Sequence, residues 1–325
     1  MKKISIVAII LSTLAIIGQV FVFATKNEDP NEPYRQAIRT DYRIYAPQLP
    51  DTMSFAGEPV PLDIYYVREA LDREIIVNTF GHTHTTLYFK RANRYFPTIE
   101  AILKKNGIPD DFKYLCVIES GLTNATSPAK AQGFWQFMKV TGAHYGLEIS
   151  DEIDMRNSLE ASTEAACRFL KDLKEHLGSW TAAAAAYNCG ESGLSRNMSR
   201  QSVGTYYDTR LNSETSRYVY RILAVKLIMQ HPQEYGFYLR HIDLYPSLST
   251  RTVELQGHNV DLYTFARDNG TTYKILRDLN PWITTNKLVN KGNNTYTVKL
   301  PVDGGTLLRN IRTKKDKSTE LITRM

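Results

Sequence analysis

The chain has 325 residues, 42% of them hydrophobic and 11% aromatic, enough for a real core in one large domain or two ordinary ones. Its net charge of +6 comes from well-mixed acidic and basic residues and favours an anionic partner such as cell wall or membrane surface. No dense Lys/Arg run points to nucleic acid, and none is expected as a partner.

Met1-Lys2-Lys3 is a short basic start, Ile4 to Ala24 is nearly all apolar, and Thr25 to Asp29 is abruptly polar. This reads as a secretory signal peptide over residues 1–24, with Val22-Phe23-Ala24 as the cleavage region. An uncleaved membrane anchor is the alternative, because the run is long enough to span a bilayer. Either way the bulk of the chain is exported to the periplasm or cell envelope. Residues 25–61 are polar and carry Pro30, Pro33, Pro47, Pro50, Pro59 and Pro61, the pattern of a tether that orders only near its end.

From there helices dominate. Ile64, Val67, Leu71 and Ile75 form a helical stripe. His82 and His84 have no third ligand nearby and read as a polar turn or cap, so no metal is expected. A second amphipathic helix covers 86–105, and Asn106-Gly107-Ile108-Pro109 ends it. Asp110 or Asp111 then caps the helix that delivers Glu119. After a loop from Thr123 to Lys130 comes a short aromatic segment around Trp135. Ser158 caps a helix striped by Leu159, Ala166, Leu170, Leu173 and Leu177, which Gly178 closes. Trp180 to Asn188 is Ala-rich, which permits close helix contact and places it centrally. A last helix runs from about Glu214 to Met229.

At His231-Pro232 the character changes. Residues 250–302 read as strand, helix, helix, strand, a separate small module ending at Tyr296 to Pro301. Residues 303–325 form a polar, basic tail expected to be poorly ordered. The fold class is therefore mainly α, α+β overall. Of the cysteines, Cys116, Cys167 and Cys189 cannot all pair within one chain, and they read as small buried hydrophobes. A Cys167–Cys189 bridge stays open.

Glu119 ends the apolar block Leu115-Cys116-Val117-Ile118. A carboxylate at a core edge is desolvated, which raises its pKa. A glutamic acid still protonated near neutral pH can act as a general acid. Taken alone, Glu119 fits a core-edge residue paired with an Arg better than a catalytic acid. Glu148, Asp151, Glu152 and Asp154 lie in a stretch resembling a surface loop, so no second carboxylate for a conventional retaining glycosidase is visible nearby.

Four blocks in order decide between these readings: Glu119-Ser120-Gly121; Ser127-Pro128-Ala129-Lys130-Ala131-Gln132-Gly133-Phe134-Trp135-Gln136-Phe137; Ala186-Tyr187-Asn188; and Glu214-Thr215-Ser216-Arg217-Tyr218. Over roughly Leu62 to Tyr235 the chain resembles the lytic transglycosylase and goose-type lysozyme family, nearest its membrane-bound lytic murein transglycosylase D group. The resemblance implies a helical lysozyme-like domain at 62–236 that cleaves the MurNAc–GlcNAc bond of peptidoglycan glycan strands, with Glu119 as acid and then base and no cofactor. It also implies substrate contacts for Ser127, Gln136, Met138, Tyr187, Asn188, Glu214 and Tyr218. On the residues themselves, Ser127 fits an ordinary turn, Asn188 a helix C-cap and Glu214 a helix start; Trp135 and Phe137 fit core packing. Ser216 and Cys189 depart from the family pattern. The small module at 250–302 resembles a degenerate LysM domain, which implies glycan binding. A hydrolase on the same fold and a non-catalytic wall-binding protein are the competing readings.

Overall fold

The computed structural model describes residues 31–40, 46–302 and 306–325. The apolar run at 1–24, read as signal peptide or anchor, lies outside them. Among the described residues no helix is long and apolar enough to cross a membrane. The chain divides into a first unit, Met1–Tyr45, and a second, Ala46–Met325. In the first, α1 (Glu32–Thr40) stands where the proline-rich composition predicts an unstructured tether. Pro33 sits in its first turn, where the missing N–H costs no helical bond.

The second unit opens with a hairpin, β1 (Ser54–Phe55) and β2 (Glu58–Pro59). Phe55 is fully buried and meets Phe112 edge-on at 5.2 Å, so the stretch before Leu62 already belongs to the core. Helix α2 (Tyr65–Phe80) buries Val67, Leu71 and Ile75, as the spacing predicts. Helix α3 (His82–Lys105) starts earlier than its pattern suggests, because Gly81 alone makes the corner and His82 opens the helix. Its Pro97 faces solvent and leaves the helix continuous.

Helix α4 (Phe112–Ser120) buries every residue from Phe112 to Val117. Neither preceding aspartate caps it through its side chain. Asp111 Oδ2 instead accepts from the Ala56 N–H at 2.6 Å and the Lys226 ammonium at 2.8 Å, while Asp110 pairs with Lys113. Partners distant in sequence outcompeted the local cap. Helix α5 (Lys139–His144) is short. Helix α6 (Leu159–Leu177) has the predicted Ser158 cap, which accepts from the Ala161 N–H at 3.3 Å, and ends on Gly178 at φ 76°. Helix α7 (Trp180–Cys189) buries Ala182 to Ala186, and the small side chains let α6 and α9 (Thr215–Gln230) close on it. Helix α8 (Glu191–Gln201) is polar apart from buried Leu194 and half-buried Met198, a stripe too thin to read from sequence. Helix α9 is buried along nearly its whole length between α2, α4 and α7.

A second apolar core follows. Strand β3 (Thr250–Leu255) pairs antiparallel with β6 (Tyr296–Pro301), register Leu255 to Tyr296 through Thr250 to Pro301. Between them lie β4 (Val260–Asp261), α10 (Leu262–Asp268), α11 (Tyr273–Leu279) and β5 (Lys287–Leu288). Asp261 and Thr272 cap the two helices through their side chains. The architecture is thus a helical body followed by a small strand-containing region, as expected.

The tail departs from expectation. Ile322 is buried, its N–H donates to the Leu239 carbonyl at 2.8 Å, and the Met325 N–H donates to the Met229 carbonyl at 2.8 Å. Ile322 joins the helical core and Met325 packs against it, so these apolar side chains and the two backbone bonds dock an otherwise polar segment. The cysteines are all free; Cys116 and Cys167 are buried, and the Cys167–Cys189 bridge is not formed.

Candidate active site

Glu119 sits in the last turn of α4, where the helix emerges from the core. The helix stops there because Gly121 takes a left-handed conformation, φ 60°, and Leu122 follows at φ 57°. A left-handed Leu is strained, and such strain persists only where packing fixes it; Leu122 is buried. Arg91 donates to the Gly121 carbonyl at 2.9 Å, and a Cβ on Gly121 would meet the Tyr88 ring at 3.1 Å.

Burial pushes the Glu119 carboxyl up to about 7. The Tyr218 hydroxyl donates to Glu119 Oε1, and the Arg221 cation lies close enough to act on it; both favour the charged form and offset part of the rise. The charge of Glu214 works weakly the other way. Tyr218 was expected to line the groove with Glu214; instead it is 2% exposed, with its hydroxyl spent on the carboxylate. Arg221, three residues along α9 from Tyr218, was not singled out from the sequence, though the i, i+3 spacing was available.

The remaining residues form two groups. In the first, the Tyr187 ring packs on Phe169, Phe137 and Trp135, and its hydroxyl donates to the Trp135 carbonyl at 2.7 Å. The nearby Glu119 charge helps raise its pKa, after burial. Asn188 is not a C-cap, since α7 runs on to Cys189 and Gly190 ends it. Its amide donates to Glu214 Oε1 at 3.2 Å and accepts from Thr215 Oγ1 at 2.9 Å, which ties the end of α7 to the start of α9. Glu214 is exposed at that start, where Asn212 rather than Glu214 caps the helix by accepting from the Thr215 N–H at 2.9 Å.

The second group is a hairpin-like loop from Ala125 to Met138. Gln132 and Phe137 exchange both backbone hydrogen bonds, at 3.1 and 3.2 Å. Ser127 Oγ accepts from the Ala131 N–H at 3.0 Å, a turn-forming bond that leaves its own hydrogen to donate. Gln136, at φ 49°, gives both amide hydrogens to the carbonyls of Ala125 and Gly133, at 2.8 and 2.7 Å. It was expected to offer a ligand a donor and an acceptor; only its Oε1 remains for that. Met138 is 46% exposed, while Trp135 and Phe137 are core, the Trp135 indole donating to Thr163 at 2.9 Å. Among the described residues Ser127, Gln136 and Met138 make no hydrogen bond to Glu119; the loop is tied to α7 by the Tyr187–Trp135 bond and to α4 by the Cys116 thiol, which donates to the Phe134 carbonyl at 3.4 Å.

Beneath this loop lies a buried ion pair between Arg156 and Asp154, the latter in a stretch whose composition resembles a surface loop. Asp154 and Arg156 are each 6% exposed. Arg156 donates to both Asp154 oxygens at 2.9 and 2.7 Å, to Gln132 Oε1 at 2.9 Å, and to the Lys130 and Phe137 carbonyls at 3.2 Å. Gly133 has to be glycine here, since at φ 83° its Cβ would stand 1.9 Å from the Arg156 carbonyl oxygen. Among the described residues no cluster of His, Cys, Asp and Glu could hold a metal ion. Two surface hollows, of about 540 Å³ beside Pro97 and about 240 Å³ beside Tyr66, are not lined by Glu119. Glu119 at the end of α4 is joined to α9 through the Tyr218 hydroxyl, and the start of α9 to the end of α7 through Asn188.

The site thus holds one half-buried glutamic acid, its carboxyl desolvated at the end of α4 and hydrogen-bonded by Tyr218. Residues 96–208 match the family described as "Transglycosylase SLT domain", and residues 251–304 match "Soluble lytic transglycosylase C-terminal LysM-like domain". The chain thus carries an SLT transglycosylase domain followed by a LysM-like domain. It is 30% identical over 202 residues to membrane-bound lytic murein transglycosylase D of Escherichia coli (strain K12), covering 59% of this chain and 44% of that protein. A putative tributyltin chloride resistance protein of Alteromonas sp. (strain M-1) is 32% identical over 111 residues, 34% of this chain and 54% of that one. The chain spans less than half the length of the E. coli relative.

Proposed function

We infer that this protein is a peptidoglycan lytic transglycosylase that cleaves the MurNAc–GlcNAc β-1,4 bond and leaves 1,6-anhydroMurNAc ends. The observation that carries the reading is Glu119, whose carboxyl titrates at about 7 while hydrogen-bonded by Tyr218. Protonated, it gives its proton to the glycosidic oxygen as the bond to the MurNAc C1 breaks. The carboxylate that results takes the proton of the sugar's own C6 hydroxyl, and O6 closes on C1. The acid is regenerated, no water is consumed and one carboxyl serves both steps. The tyrosine hydroxyl and the Arg221 charge stabilise the carboxylate between the steps, and its desolvation makes it a strong enough base for the second.

Around it, the Ser127 hydroxyl, the Gln136 carbonyl and exposed Met138 offer a donor, an acceptor and an apolar surface to an N-acetylated sugar. The Tyr187 ring bears the sugar face nearest Glu119, and the Asn188–Glu214 pair borders the other side. The LysM-like region adds a glycan contact. The basic-apolar start and the membrane-bound character named for the E. coli relative support export, with attachment through the N-terminal segment.

The test is mass spectrometry of muropeptides released from purified sacculi. Anhydro ends from wild type and none from Glu119→Gln are expected. Reducing ends would make it a hydrolase on this fold, and equal release by both proteins would remove Glu119 from the reaction.

A further inference from the structure

The segment from Glu148 to Glu160 belongs to two cores at once. Ile153 is buried in the second apolar cluster, among the side chains of the LysM-like region, and bridges Ile283 in antiparallel fashion. The Asp154 N–H donates to the Trp282 carbonyl at 2.7 Å, and the Thr284 N–H to the Glu152 carbonyl at 2.9 Å. The Glu152 carboxylate accepts from the backbone N–H groups of Val289 at 2.8 Å and Asn290 at 3.2 Å. The Tyr296 hydroxyl donates to Glu148 at 2.8 Å, and Lys299 pairs with Glu160. The next residues, Asp154 and Arg156, hold the substrate-facing loop from beneath through Gln132 and the Lys130 and Phe137 carbonyls.

We propose that Arg156 is a positioning residue for the Ser127–Met138 loop, and that the docked LysM-like region sets Arg156 in place through the Ile153–Asp154 backbone. The proposal rests on the transglycosylase reading for its kinetic part only. A guanidinium that satisfies two carbonyls, an amide oxygen and a carboxylate fixes all four at once, because its donors form a rigid planar fork. The Asp154 backbone is locked on the opposite side by Trp282, and buried polar links of this kind have few alternative arrangements. The C-terminal region is therefore a buttress of the cleavage site as well as a glycan contact. Loss of the contact lowers turnover on a substrate too short to reach that region.

The experiment uses the full chain with Glu152→Ala and Ile153→Ser on the docking side, and Arg156→Ala and Arg156→Lys in the link. Two readouts are taken: amide hydrogen exchange, and kcat and KM for release of anhydro product from a GlcNAc–MurNAc tetrasaccharide. We expect faster exchange across residues 125–138 in Glu152→Ala and Ile153→Ser, with α4 and α6 still protected. We expect kcat to fall about tenfold, within the range that coupling between sites spans. Arg156→Lys keeps the charge but not the fork and is expected to rescue Arg156→Ala only in part. Unchanged exchange in 125–138 for both docking variants overturns the proposal, as does an unchanged kcat on the tetrasaccharide. If wild type yields no anhydro product, the transglycosylase reading fails instead, and the exchange data still decide the coupling.

Discussion

The raised pKa of Glu119 has a consequence for stability that can be measured apart from any reaction. The carboxyl moves from 4.5 to about 7 on folding, chiefly by desolvation. A group that binds its proton more tightly in the folded state stabilises that state at low pH. The contribution is full below the unfolded pKa and is lost as pH rises through the folded one. At about 1.4 kcal/mol per pKa unit, the whole loss is roughly 3 kcal/mol, of which about 2.5 falls between pH 5 and pH 8.5. Glu119→Gln keeps the shape and cannot ionise. Its stability relative to wild type should therefore rise by that 2.5 kcal/mol over the interval. Urea unfolding of both proteins at a series of pH values reads the difference, with Trp135 and Trp180 reporting on the helical core. A difference that stays flat with pH, or that runs the other way, would refute the claim that Glu119 is held desolvated and protonated near neutrality.

Three more outcomes follow from the same geometry. Tyr218→Phe removes a donor to the carboxylate and so raises the Glu119 pKa further; the alkaline limb of the pH–rate profile should move to higher pH, and a downward move would contradict the hydrogen bond. Gly133→Ala forces a methyl against the Arg156 carbonyl at positive φ and should cost about 3 kcal/mol or prevent folding, as read by thermal unfolding; a neutral effect would count against the close approach. Asp111→Ala leaves the nearly buried Lys226 ammonium with the Ser54 carbonyl but no counter-charge and strips the Ala56 N–H of its acceptor, and should cost about 3 kcal/mol in denaturant titration, against less than 1 for a surface pair.

The sequence by itself determined the helices with strong stripes and clear ends. Val67, Leu71 and Ile75 recur at helical spacing, Ser158 caps α6, Gly178 ends it, and the Ala run makes α7 a close-packed centre. It also marked Glu119 as a carboxylate ending an apolar block, though only the four ordered blocks from Glu119 to Tyr218 gave it a catalytic reading. The helix signals and the apolar block need only neighbours a few residues away.

What only the tertiary structure decided involves partners far apart in the chain. Tyr218 lies 99 residues from the carboxylate it holds. Asp111 gives up a local cap for Lys226, 115 residues on. Asp154 looks like a surface charge in sequence, since nothing in a polar stretch announces that it will be buried with Arg156 between two cores. Ile322 lies in a polar, basic tail, and its burial depends on a helical core that the tail meets only once the chain has folded. In each case a charged or lone side chain takes its place from the desolvation it meets and the partner waiting there, and both exist only once the helices have packed.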